Sequence, residues 1–195
     1  IEKHKENYKR QFDRVSLKLG DEQNNVKNTK ERLESFKKNA NDLGLIKTMF
    51  DYGRYLLICS SQPNGLPSNL QGIWCEDLNP IWGSKYTINI NTEMNYWMTG
   101  PCDLPEVEIP LFEMMNKMRE PGRITAKKMY GLNGVIAHHN TDGFFDTAPQ
   151  SHAIGAAVWP MTLPWLCTHI WEYYNYFQDV SILEKYYPLI KEVVQ

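Results

Sequence analysis

The sequence predicts an all-α fold, a toroid of helix pairs whose connecting loops gather at one end. Three observations predict it. Apolar residues recur at spacings of three and four over residues 42–58, 104–119 and 162–177. The segments between them are long, irregular and rich in Asn, His, Trp and Gly. Nothing alternates strands with helices in the manner of a βαβ repeat.

Taken in order, His4–Phe12 is charged and helical in pattern, and Val15–Leu19 alternates apolar and polar residues before Gly20, the signature of a short strand. Asp21–Thr29 is a polar linker, and a small helix follows to about Asn39. In the helix from about Asp42 to Ile58, Leu45, Ile46, Met49, Phe50, Gly53, Leu56 and Leu57 form one stripe. Gly53 costs such a helix about 1 kcal/mol relative to Ala, which close approach of a neighbouring helix would offset. Between Ser60 and Thr92 no helical period persists, and a structureless connection of that length in a compact domain is usually functional. Asp103 is placed to cap a helix from Leu104 to Arg119, with Pro105 in its first turn and a stripe of Val107, Leu111, Met114, Met115 and Met118. Pro121 opens a short helix that Gly131 closes. Thr162 caps a helix to Phe177 with Leu163, Leu166, Cys167, Ile170, Trp171 and Tyr174 on its stripe. Ser181 and Glu184 form a capping-box pattern for a last helix, still running at Val194 when the sequence stops. With Ile1 rather than Met at its start, the chain reads as a segment of a longer protein.

Bulk properties exclude several classes of function. The net charge is −2 and the pI near 6.2, so no basic field exists to hold nucleic acid. No apolar run approaches the roughly 18 residues of a membrane span. The four cysteines, Cys59, Cys75, Cys102 and Cys167, form no C-x-x-C pair, which argues against a zinc knuckle. No dinucleotide fingerprint, P-loop or G-x-S-x-G motif is present, and neither a cofactor nor a metal is expected.

The most informative stretch is Trp82–Trp97, WGSKYTININTEMNYW. Three amides, Asn89, Asn91 and Asn95, and the carboxylate of Glu93 lie among four bulky aromatics. Buried amides are costly unless partnered, so a stretch that merely fills a core would not use them. Aromatic faces beside fixed amides are what a sugar ring needs: its C–H face stacks and its hydroxyls find donors and acceptors. If the chain is extended at Asn89-Ile90-Asn91, the two carboxamides face one side and together could hold a water while a base takes its proton. Two Asn that only satisfy loop backbone would leave the same pattern.

His138-His139-Asn140-Thr141-Asp142 is the second constellation. Adjacent histidines in extended chain face opposite ways, so one imidazole would face a sugar while the other is buried. Asn140 or Asp142 would accept from hydroxyls. A turn held by Asx hydrogen bonds is the competing reading, and no third ligand at a recognisable spacing supports a metal. Trp74 and Trp82 are candidates for a binding wall, whereas Trp171 belongs to a core stripe. Among Glu76, Asp77, Glu93, Asp142 and Asp146, none sits in a motif that marks a general acid.

These stretches, with QFDRVSLKLG, DYGRYLLICSSQPNGLPSNLQGIW, PGRITAKKMYG and WPMTLPWLCTHIWEYY, span nearly the whole chain. Together they resemble glycoside hydrolase family 95, the inverting α-L-fucosidases and related α-L-galactosidases. The resemblance implies an (α/α)6 barrel, of which residues 41–195 would be the first half, preceded by a linker region over 1–40. It implies hydrolysis of terminal α-L-fucosyl linkages, 1→2 linkages among them, in oligosaccharides or glycoconjugates, with an α-L-galactosidase or a non-catalytic sugar-binding relative as alternatives. Asn89 and Asn91 match the family's water-holding pair. His139, Asn140, Asp142 and Trp82 are assigned to substrate binding, and the acid and base carboxylates are expected beyond Gln195. That places them in the half of the barrel that this segment lacks, without which it would be inactive. One departure is evident: many members follow N-Y-W with Pro-Ala-Glu, and here Met98-Thr99-Gly100 follows Trp97.

Overall fold

The computed structural model describes residues 1–20 and 27–195, so residues 21–26 of the expected polar linker lie outside it. The chain forms two compact units, Ile1–Ile58 and Cys59–Gln195. Both are mostly helical.

The first unit holds α1 (Glu2–Phe12), α2 (Thr29–Lys38) and most of α3 (Leu43–Ser60). A capping box starts α2: the Asn28 side chain accepts from Glu31 N at 3.0 Å, and the Glu31 carboxylate accepts from Asn28 N at 3.3 Å. Asp42 starts α3 by accepting from Leu45 N, and it also takes a two-pronged hydrogen bond from Arg32 at 2.9 and 2.7 Å. That guanidinium holds the Asp42 carboxyl down at about 2.

Two expectations fail in this unit. Val15–Leu19 forms no ladder among the described residues. Its backbone is served instead by the buried Arg54, whose guanidinium donates to Val15 O at 2.8 Å and Phe12 O at 2.6 Å. Gly53 meets no close neighbour either: a Cβ there would have nothing within 4 Å. The buried face of α3 runs through Leu45, Arg54, Leu57 and Ile58, leaving Met49 exposed.

The second unit begins with the end of α3 and an irregular stretch, then β1 (Tyr86–Thr87) and α4 (Asn91–Tyr96). Next come α5 (Pro105–Lys117) and α6 (Arg119–Thr125), the latter extended by one wide turn to Gly131, whose φ of 69° suits glycine. β2 (Asn140–Thr141), α7 (Ile154–Ala157), α8 (Thr162–Phe177) and α9 (Val180–Val193) complete it. The expected α5 stripe is the core: Val107, Leu111, Met114, Met115 and Met118 are all buried. Phe112 extends it, meeting the rings of Tyr173 on α8 and Tyr186 on α9 edge-on at 5.6 and 5.4 Å.

The helix ends depart from expectation in three places. Leu104, not Asp103, precedes α5, because Asp103 has a φ of 50° and lacks the extended backbone of a capping residue. Thr162 lies inside α8, and its hydroxyl donates to His138 O at 2.9 Å instead of accepting from the helix. Asp179 caps α9 by accepting from Ser181 N, and the Ser181 hydroxyl donates to the same carboxylate. On α8, Leu163, Leu166, Cys167 and Ile170 are buried as expected, but Trp171 is 57% exposed and Tyr173 takes its place inside.

Gly122 on α6 is packed against the segment leading to β2. A Cβ there would lie 2.5 Å from Val135 Cγ1 and 3.1 Å from Ile136 O. Gly122→Ala is therefore expected to destabilise the protein by about 1–3 kcal/mol, measured by denaturant unfolding.

Candidate active site

The two constellations singled out in the sequence meet in space. β1 and β2 pair antiparallel, Tyr86 with Thr141 and Thr87 with Asn140, and Ile88 N extends the ladder by donating to His139 O at 2.8 Å. Side chains alternate across this ladder. Tyr86, Ile88 and Thr141 are buried, while Lys85 and Thr87 lie on the half-exposed side with the Asn140 amide against them.

That amide is saturated. In the orientation that satisfies both ends, its N–H2 donates to Thr87 Oγ1 and His139 O, each at 3.1 Å. Its oxygen accepts from Lys85 Nζ at 3.2 Å and from His139 Nε2 at 2.7 Å. The second bond places the His139 proton on Nε2 and leaves Nδ1 bare. Burial first, and the Lys85 charge second, push the His139 pKa down and favour the neutral ring. His138 is fully buried and structural: its Nδ1 accepts from Trp159 N at 3.1 Å and its Nε2 meets Tyr130 Oη at 3.3 Å. Asn140 was foreseen as a hydroxyl acceptor; its partners here are Lys85, Thr87 and His139.

Beyond β1 the chain does not stay extended. Ile90 has φ −173° and ψ −46°, and α4 begins at Asn91. Strand alternation therefore does not act over Asn89-Ile90-Asn91; a strand-to-helix turn sets the direction of both amides. Thr92 Oγ1 donates back to Thr87 O at 3.0 Å and pins the turn. Asn91, Met94 and Trp97 lie on the exposed side of α4, and Thr92, Glu93 and Tyr96 on the buried side. Asn89 is intermediate, with its Oδ1 buried and without a hydrogen-bond partner among the described residues.

Tyr96 anchors this arrangement through a one-directional chain of hydrogen bonds. Ser68 N donates to Tyr96 Oη at 2.9 Å, Tyr96 Oη to Ser61 Oγ at 2.7 Å, and Ser61 Oγ to Val107 O at 2.7 Å. The order follows because the last acceptor has no proton to give.

The other foreseen residues are placed differently. Asp142 Oδ1 accepts from Phe144 N at 2.8 Å and Asp146 N at 3.3 Å, an Asx-type turn. Trp82 is 79% exposed and has a φ of 56°, beside Gly83 at 72°. Trp74, on the same loop, is also exposed. Lys85 and Thr87 carry no signal in the sequence beyond their place inside the Trp82–Trp97 run. Among the described residues, no cluster of three or more His, Cys, Asp or Glu side chains is arranged for a metal ion, and no helix is long and apolar enough to cross a membrane.

Among the described residues, buried polar atoms without partners concentrate at this crossing. Besides Asn89 Oδ1 they include both Glu93 oxygens, His139 Nδ1 and Thr141 Oγ1. Such atoms are rare in native proteins and, where they gather, point to a bound water, ligand or catalytic role. The chain belongs to glycosyl hydrolase family 95: residues 1–195 match the model of that family's catalytic domain.

Named relatives agree. The chain is 42% identical over 195 residues to alpha-L-fucosidase 2 of Arabidopsis thaliana, covering 97% of this chain and 23% of that protein. It is 35% identical over 195 residues to probable alpha-fucosidase A of Aspergillus niger, covering 98% and 24%. With probable alpha-fucosidase A of Aspergillus oryzae the identity is 37% over 139 residues, 68% of this chain and 18% of that one. The chain thus spans about a quarter of the length of the first two relatives.

Tyr96→Phe removes the hydroxyl that links Ser68, Ser61 and α5. It is expected to lower stability by about 1–3 kcal/mol, by leaving buried partners unsatisfied, as read from chemical denaturation.

Proposed function

We propose that the full-length protein is an inverting glycosidase that removes terminal α-L-fucosyl residues, with 1→2 linkages as the preferred class, from oligosaccharides or glycoconjugates. In this reading residues 1–40 are the linker region and 41–195 the first half of an (α/α)6 barrel. Asn89 and Asn91 hold the attacking water. The general acid and base come from the remainder of the protein, so this segment alone is inactive. The observation that carries the reading is the orphaned Asn89 Oδ1 in the strand-to-helix turn, next to the ladder that joins it to His139 and Asn140.

The chemistry is as follows. An inverting enzyme keeps its two carboxyls about 6.5–9.5 Å apart so that a water fits between the base and the anomeric carbon. One carboxylic acid protonates the leaving oxygen while the base takes a proton from the water, whose oxygen bonds to the anomeric carbon. A carboxamide oxygen can accept the water's other proton, and an amide N–H2 can donate to its lone pair, which orients the attack. Trp82 supplies an apolar face for the sugar ring. His139, Asn140 and Asp142 line the loop beside it, His139 as a neutral imidazole with Nδ1 as acceptor.

In the full-length protein, Asn91→Ala is expected to lower kcat on a terminal α-L-fucoside by about a hundredfold or more while KM changes little. Equal losses in turnover and affinity would overturn the water-holding role. NMR of the first-released sugar should show the β anomer, and retention would refute inversion. Faster turnover of the matching α-L-galactoside would reassign the sugar.

A further inference from the structure

Lys85 has no task in the reaction as read above, yet it stands where β1 and β2 cross. Its backbone oxygen accepts from Leu70 N at 3.3 Å, and its half-buried side chain brings Nζ to 3.2 Å from the Asn140 amide oxygen. Among the described residues no Asp or Glu pairs with the ammonium. A lysine kept for solubility or for an ion pair would stand in water or on a carboxylate. This one directs its charge at a neutral amide that is itself buried.

The neighbours of that amide differ in their power to orient it. The Thr87 hydroxyl can donate or accept and so tolerates either end of the amide. The His139 imidazole is equally accommodating: with a proton on Nε2 it donates to an oxygen, and without one it accepts from an N–H2. Only groups of fixed polarity discriminate. An ammonium has donors and no acceptor, so the end facing Lys85 must be oxygen; His139 O can only accept, so the end facing it must be N–H2. That carbonyl is already engaged by Ile88 N at 2.8 Å. The bond from Lys85 carries a full charge, which makes it the stronger director. Once the oxygen faces Lys85, its 2.7 Å contact with His139 Nε2 requires a proton there. His139 Nδ1 is then bare, buried and without a partner among the described residues. Turning the amide over would reverse the imidazole as well and make Nδ1 a donor.

We propose that Lys85 is a positioning residue for substrate recognition: through the Asn140 amide it holds His139 in the Nε2–H form, so that Nδ1 meets a sugar hydroxyl as an acceptor. This rests on the assignment of His139 to substrate binding in the reading above, and it adds what sets the polarity of that contact. Every link from Lys85 to the imidazole is a hydrogen-bond distance between named atoms. The consequence is a preference in substrate class. A bare imidazole nitrogen selects a free hydroxyl, which can donate to it. An O-methylated or O-acylated oxygen at the same place has no proton to give and would set lone pair against lone pair.

The test uses the full-length protein with 15N-labelled histidine, the His139 signals being assigned by their loss in His139→Phe. Wild type is expected to carry the imidazole proton on Nε2; a proton on Nδ1 overturns the proposal without any further variant. Lys85→Met is expected to show both tautomers and to lose about tenfold in kcat/KM on a terminal α-L-fucoside. Lys85→Arg, again a donor only, should restore the single tautomer and bring kcat/KM to within about threefold of wild type. Lys85→Gln, which can present either end of its own amide, should not. In the His139→Phe background Lys85→Met is expected to cost less than about twofold, because its effect passes through the ring. Wild-type kcat/KM in Lys85→Met, full restoration by Gln, additive losses in the double variant, or a loss that merely follows the unfolding temperature each overturns the proposal. If His139→Phe keeps wild-type kcat/KM, the binding role of His139 fails and this proposal falls with it. If His139→Phe is impaired and Lys85→Met is not, only this proposal falls.

Discussion

The rest of the second unit's site depends on a ladder only two residue pairs long, Tyr86–Thr141 and Thr87–Asn140. Strand pairs this short are not stable alone. This one survives because each end is tied elsewhere. Tyr86 Oη donates to Pro67 O at 3.0 Å, Ile88 is fully buried, and the Thr162 hydroxyl bonds His138 O at the start of α8. The Asn140 amide closes the arrangement from the side, joining Lys85, Thr87 and His139 at one point. Two stretches far apart in sequence, around Tyr86 and Thr141, thus become a single surface, and the turn into α4 inherits its direction from it.

The distribution of satisfied and unsatisfied polar atoms divides that surface by role. Tyr96, Ser61, Thr92 and Asn140 use their bonding capacity within the chain and behave as scaffold. Asn89, Glu93, His139 and Thr141 each keep at least one buried atom unmatched among the described residues. Such mismatches oppose folding, so the scaffold around them has to over-determine their positions. The closed hydrogen-bond chain through Tyr96 and the aromatic cluster of Phe112, Tyr173 and Tyr186 provide that rigidity.

How much of this was legible in the sequence follows from which forces are local. The α5 stripe was read correctly residue by residue, because a helix buried on one face imposes its period on its own sequence. Trp171 fits the period of the stripe yet is exposed, because which edge of a stripe is covered depends on the neighbouring helix. Asp103 and Thr162 are residue types that favour caps yet neither caps its helix, because capping depends on a backbone angle that residue type does not reveal. At the site, the unusual density of amides and aromatics marked the right segments. Their pairing could not be read, since a two-residue strand carries no periodicity. Lys85 is not legible in the sequence, because a lone lysine next to a strand has no distinguishing pattern, although its bond to Asn140 is part of what sets the His139 tautomer.

The loop that precedes β1 shows the same balance in its backbone. Trp82 and Ser84 have positive φ values of 56° and 47° on either side of Gly83. A bulky residue in that region costs on the order of 1–3 kcal/mol. Trp82 is mostly exposed, so burial of its ring recovers little of that cost. The strain persists because both ends of the loop are held: Ser84 Oγ donates to Asn69 Oδ1 at 3.2 Å, and Leu70 N donates to Lys85 O at 3.3 Å. Lys85 in turn is fixed by its bond to Asn140 on the ladder. A chain that needed Trp82 only for its core would bury the ring and relax the backbone. Holding the indole outward in a strained turn, one short step from the ladder, is consistent with an indole kept for contact with something outside the chain.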